Sequence, residues 1–186
     1  MRRLLIAALG LVLCLAAFGV GAARGSQDSA SRARELAASF SKSKHEVKEK
    51  RGVRVEKFKD VRSEPAPKPD ARAYSGEYEA HYGCALSLHV GADGRAEATG
   101  SEPSPDLSRT RRFTLKGARV EGALLTGTKV YEDGSSEGFE GVFINRTERE
   151  SPTDSGTTAF GLGVLFDPPR SVGGLSLGRL FYALKR

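Results

Sequence analysis

FTLKGARVEGALLTGTKVYEDGSSEGFEGVFINR, residues 113–146, sets the pattern that the C-terminal half repeats. Two apolar-rich runs, Val120 to Tyr131 and Gly138 to Arg146, flank Asp133-Gly134. Such a dipeptide between alternating strands is the signature of a tight hairpin, and it fixes register. A third run, with Phe113 and Leu115 in phase, precedes Gly117-Ala118. The stretch reads as a three-stranded meander.

The same alternation recurs on both sides. Tyr74 to Tyr82 places Tyr74, Tyr78 and Tyr82 on one face, and Cys84 to Val90 does the same with Cys84, Leu86, Leu88 and Val90. Asp93-Gly94 turns the chain, Arg95 to Ser101 is a weaker strand, and Glu102 to Arg109, with two prolines, is a loop. Glu148 to Gly156 is a second polar loop. Thr157 to Phe166 carries Phe160, Leu162, Val164 and Phe166 at period two, and Arg179 to Lys185 carries Leu180, Tyr182 and Leu184. Short connections between about eight such runs make each strand antiparallel to its neighbour. Closure as an up-and-down barrel removes the edges an open meander would expose, which gives an all-β fold class; a two-sheet sandwich is the alternative. The inward set is Tyr78, Tyr82, Leu86, Leu88, Phe113, Leu115, Leu124, Phe143, Phe160, Leu162 and Tyr182. In strand count and meander the pattern resembles the lipocalin-type calycin barrels. Their Gly-x-Trp signature has no counterpart, because the chain has no Trp, so the resemblance implies the architecture and carries over no binding residue.

Three segments precede the barrel region 73–186. Arg2-Arg3 and the uncharged stretch Leu4 to Ala23, closing on small residues, have the form of a signal peptide over residues 1–23, which places the protein in the periplasm or outside the cell. An uncleaved membrane anchor is the alternative, since about 20 apolar residues suffice to span a bilayer. Residues 24–62 form a basic arm with 12 Lys/Arg against 6 Asp/Glu. Leu36, Phe40 and Val47 give it a thin helical stripe that Asp28 or Ser29 would cap and Gly52 would end, so the arm reads as partly helical or disordered. Residues 63–72 hold Pro65, Pro67 and Pro69 and read as an extended linker. The linker and barrel together are nearly neutral, with 15 Lys/Arg against 17 Asp/Glu over residues 63–186. Because the overall charge of +6 sits in the N-terminal half, it gives no case for nucleic acid as partner of the barrel and points to an anionic surface, phospholipid headgroups or cell-wall polymer, as partner for the arm. Its contact residues would be Lys42, Lys44, Lys48, Lys50, Arg51 and Arg54.

Catalytic signatures are sparse. There is no Gly-x-Ser-x-Gly elbow, and only three His. Cys84, in phase with Leu86 and Leu88, reads as a buried thiol. Glu79, His81 and His89 make an incomplete metal set, and no cofactor motif is present. Two carboxylates meeting only in space, one with a raised pKa, would mark a hydrolase. The favoured reading is a non-enzymatic exported module. It would bind a small apolar or amphipathic ligand, or a partner, through Tyr78, Tyr82, Leu88, Phe113, Phe143, Phe160 and Tyr182. The strands are short, so the interior is expected to be largely filled by side chains, with tyrosine hydroxyls leaving room for a polar pocket at one mouth. A solid structural domain tethered by the arm is the alternative.

Overall fold

The structure, a computed structural model, describes residues 28–50 and 53–185. The Leu4–Ala23 stretch and Arg51 lie outside the described residues. A helix, α1, covers residues 28–38. Ten strands follow: β1 Lys42–Lys50, β2 Val53–Pro65, β3 Gly76–Glu79, β4 Ala85–Val90, β5 Arg95–Pro103, β6 Thr110–Glu121, β7 Leu124–Tyr131, β8 Ser136–Arg149, β9 Thr157–Val172 and β10 Leu175–Leu184.

Strands β3 to β10 pair antiparallel in sequence order, and β10 returns to β3 through Ala183↔Glu79 and Leu184↔Tyr78. The result is a closed, eight-stranded up-and-down barrel with β1 and β2 added outside it. Asp93-Gly94 and Asp133-Gly134 turn the chain as expected: Gly94 has φ +78° and Gly134 φ +81°, the left-handed conformation glycine tolerates. Alternation puts Leu86, Leu88, Phe113, Leu115, Phe143, Leu162 and Tyr182 in the buried core.

The meander differs from its expected form. Val120 belongs to β6, and the chain turns at Gly122 and Ala123, not at Gly117-Ala118. Gly117 (φ +60°) lies instead where the β6–β7 register slips between Lys116 and Arg119, so it bends one long strand into the barrel wall. A Cβ on Gly127 would approach Ala118 to 3.2 Å, so the bulge and the glycine fit together. Moving the turn also changes the inward residue. Leu125, opposite Gly141 and two residues from Gly127, faces the interior, whereas Leu124, opposite Val142, faces outward. The first expected strand is shorter as well: β3 ends at Glu79, and His81–Gly83 form a 3-10 turn in which Tyr82 has φ +65°.

The described residues of the arm and the linker pack with the barrel as parts of the same unit. Helix α1 stops at residue 38, well before Gly52, and Lys42–Lys50 and Val53–Pro65 form a hairpin. Its thin stripe suffices because its partner is the outside of the barrel. Ala33, Leu36, Ala37 and Phe40 join the core cluster that also holds the outward-facing Leu124 and Val142. Arg32 pairs with Glu140 at 2.6 Å, and a Cβ on Gly163 would come within 2.8 Å of the Phe40 ring. The Pro-rich stretch docks too. The Ala66 N–H donates to the Phe143 carbonyl at 2.8 Å. Tyr74, at the end of a 3-10 turn, stacks on Phe143 with centroids 4.1 Å apart. Its hydroxyl donates to the Gly122 carbonyl and accepts from the Lys68 N–H, both at 2.7 Å. Tyr74, Tyr78, Phe143 and Phe160 thus plug one end of the barrel.

Candidate functional site

The opposite end is built differently. Four strands each bring one charged side chain to it: Glu102 near the end of β5, Lys129 in β7, Glu137 at the start of β8 and Arg170 late in β9. Lys129 is in phase with Leu125 and Tyr131, so the pleat drives it inward, and it is 1% exposed. A buried ammonium requires partners. Its Nζ lies 2.6 Å from Glu102 Oε2 and 3.6 Å from Glu137 Oε1. It also sits 4.5 Å above the Phe113 ring, whose electron-rich face favours a cation.

Arg170 bridges the same two carboxylates, at 2.8 Å to Glu102 Oε1 and through a direct contact to Glu137 Oε1, and lies 4.4 Å over the Phe166 ring. The Tyr131 hydroxyl is 2.7 Å from Glu102 Oε1 and 2.5 Å from Glu137 Oε1. It has one proton and satisfies one of them at a time. Burial alone would push both carboxyls up. Lys129 on Glu102, and Tyr131 with Arg170 on Glu137, outweigh it and hold both below the ordinary range. Tyr131 and Tyr182 are pushed up, chiefly by burial. The Cys84 thiol, also buried and near Glu102, is pushed up to about 11.

Above this network lies a cavity of about 310 Å³. Phe166, Leu177, Leu180, Pro103 and Pro105 give it apolar walls, and Glu102, Glu137, Arg170 and Arg111 a charged side. Of the basic cluster Arg109, Arg111 and Arg112, it is Arg111 that turns to the cavity, its guanidinium 3.8 Å over the Tyr131 ring. The β5–β6 loop arches over the opening. Hydrogen bonds from Ser104 and Ser108 fix Asp106 and lower its pKa to about 2. The loop reaches the β9–β10 turn, where the Gly173 N–H donates to the Pro105 carbonyl at 2.9 Å. A Cβ on Gly173 would meet Leu107 at 2.4 Å, so glycine makes that crossing possible.

Glu102 and Glu137 are the paired carboxylates a hydrolase would use, but both are held ionised, so neither has the raised pKa of a general acid. The thiol is protonated at neutral pH and therefore a poor nucleophile. Among the described residues no group of three or more His, Cys, Asp or Glu is placed to hold a metal ion.

The structure scatters the residues singled out from sequence. Tyr82 lines the cavity. Tyr182 sits in the core beside Cys84, and Phe113 lies under Lys129. Tyr78, Phe143 and Phe160 belong to the aromatic plug at the far end, and Leu88 is core. In the hairpin, Lys42, Lys44 and Lys48 share one face, whereas Arg54, opposite Glu49, lies on the other; Lys50 is the last residue of β1. Sequence reading passed over Glu102, Lys129, Glu137 and Arg170. Comparison with protein-family models, with curated proteins and with solved structures finds no match to this chain.

Proposed function

We propose that the chain is an exported, non-catalytic barrel of the cell envelope, lipocalin-like in plan, that binds a small amphipathic ligand at its open mouth. The observation that carries this reading is the cavity of about 310 Å³, with apolar walls on one side and a charged rim on the other. Its size is at the lower limit of small-molecule sites, which are mostly apolar with a few placed polar groups. The apolar part of the ligand would pack against Phe166, Leu177 and Leu180, and its polar group would face Arg111 and Arg170. Export rests on Arg2-Arg3 followed by the uncharged Leu4–Ala23 stretch.

The absence of Trp from the chain supplies a clean test. Tyr82→Trp puts a single reporter on the cavity wall. Titration with the amphipathic probe anilinonaphthalene sulfonate should shift its emission saturably, and decanoate should compete. Leu177→Phe, which fills part of the cavity, should weaken the probe at least about fivefold, the scale of one or two misplaced methylenes. An unsaturable response, or one unchanged by Leu177→Phe, would replace the carrier with a solid structural domain.

A further inference from the structure

We infer that the β1–β2 hairpin is a docking face for an anionic phospholipid bilayer, with the lysines of one side as its contact. Strand β2 pairs with β8 only from Asp60 to Pro65. The hairpin beyond Asp60 therefore projects from the plugged end of the barrel as two strands, an arrangement with little stability of its own. Its sequence intersperses basic and acidic residues with basic ones in excess, and register sorts them. Lys44 stands opposite Lys59 and Glu46 opposite Lys57, and Lys42 and Lys48 share that face. The other face carries Ser43 opposite Asp60, His45 opposite Phe58, Val47 opposite Glu56 and Glu49 opposite Arg54.

One side thus holds five described lysines against a single hairpin carboxylate, Glu46, which is shared between Lys44 at 3.2 Å and Lys48 at 2.6 Å. Lys59 finds only a distant partner, Glu148 at 3.7 Å. Side chains of Lys44, Lys48 and Lys59 are 58%, 66% and 60% exposed, so their head groups are open to a partner. Two lysines directly opposed across a strand pair repel, and the repulsion is relieved when anions approach that face. From Lys42 to Lys48 the row is about 20 Å long at the rise of an extended strand. The lysines lie over a plane, as a bilayer surface requires, in a row that also carries Val55 opposite Lys48, and among the residues whose burial is described the large exposed apolar one, Val47, points from the opposite face. Adsorption would be electrostatic, without insertion. Because the hairpin leaves the plugged end, it would keep the cavity mouth turned away from the membrane.

Full-length chain is mixed with phosphatidylcholine vesicles containing about one-third phosphatidylglycerol, and with pure phosphatidylcholine vesicles, which report any contribution of the apolar Leu4–Ala23 stretch. The ratio of the two affinities is the readout. Substituting Lys42→Gln, Lys44→Gln, Lys57→Gln and Lys59→Gln together should lower that ratio by at least about 30-fold, as four surface cations near an anionic leaflet imply. The opposite-face pair His45→Gln and Arg54→Gln should change it by less than about twofold, and about 0.5 M salt should abolish the preference. Circular dichroism confirms that each variant keeps its fold. An unchanged ratio in the lysine variant overturns the inference, and so does an equal loss in the opposite-face variant. Retention by soluble polyphosphate without vesicle binding overturns it in favour of a polymer.

Discussion

At the scale of single residues, the side chain that most shapes the mouth is Lys129. Its phase hinges on Leu124 and Leu125: with Leu124 expected inward Lys129 faces out, and only the turn at Gly122 and Ala123 brings Leu125, Lys129 and Tyr131 inward together. What hides it is the expectation that a lysine in an alternating strand is outward, which local pattern cannot correct. Glu137 was the available hint, since it faces Lys129 across the Asp133-Gly134 turn. Glu102 and Arg170 were not legible, because each lies near a strand end whose position depends on loops rather than periodicity. Removing one partner of a buried pair leaves an uncompensated charge, typically costing 3–5 kcal/mol. Arg170 and Tyr131 would still contact Glu102, so Lys129→Met should cost about 3 kcal/mol in urea unfolding. Combined with Glu102→Gln it should cost less than the two single losses added. Strict additivity would show that the pair is not coupled and that Arg170 alone neutralises Glu102.

At the scale of elements, hairpins with their own turn chemistry were legible and docking was not. Asp133-Gly134 and Asp93-Gly94 announce their turns locally, whereas Gly117 and Gly122 look alike in sequence and only strand pairing decides which one bulges and which one turns. Helix α1 was visible as a stripe of Leu36 and Phe40, but its burial depends on a groove built over 100 residues later. Gly163 is the sequence trace of that groove: it faces outward, yet its missing side chain makes room for Phe40. Gly163→Val should therefore push the Phe40 ring away and destabilise the fold by about 1–3 kcal/mol. Phe40→Ala alone should cost about 3 kcal/mol. In the double variant the clash has no partner, so the combined loss should fall below the sum. A Gly163→Val cost that persists undiminished in the Phe40→Ala background would mean that β9, rather than the helix, resists the side chain. The arm that looked like a spacer is thus divided: α1 clasps the barrel, and the hairpin reaches beyond it.

At the scale of the whole molecule, the two barrel ends titrate differently, because one is plugged by stacked aromatics and the other by ions. Glu102 and Glu137 have folded pKa values below those of the unfolded chain. Their contribution to stability is present above the unfolded carboxylate pKa of about 4.3 and is lost as pH falls through the lower folded values. Cys84 behaves in the opposite sense: raised from 9.0 to about 11, it contributes fully below pH 9.0 and loses that contribution as pH rises toward 11. Tyr131 and Tyr182, raised by burial, act in the same direction from about pH 10 upward. The melting temperature should hence be flat from about pH 5 to about pH 8 and decline on both sides. Thiol reactivity separates the two limbs in a Cys14→Ser background. On the acid side Cys84 remains protonated whatever the fold does. On the alkaline side Cys84, which lines the cavity but is only 4% exposed and is held protonated up to about pH 11, should react with a disulfide reagent only when the barrel opens, so reactivity and loss of circular dichroism should coincide. If Cys84 reacts at pH 8 while the fold is intact, the cavity admits the reagent and burial does not hold the thiol protonated. Coincidence of the two signals would instead show that burial of the thiol in the cavity wall, beside Glu102 and Arg170, keeps it protonated and unreactive for as long as the fold holds.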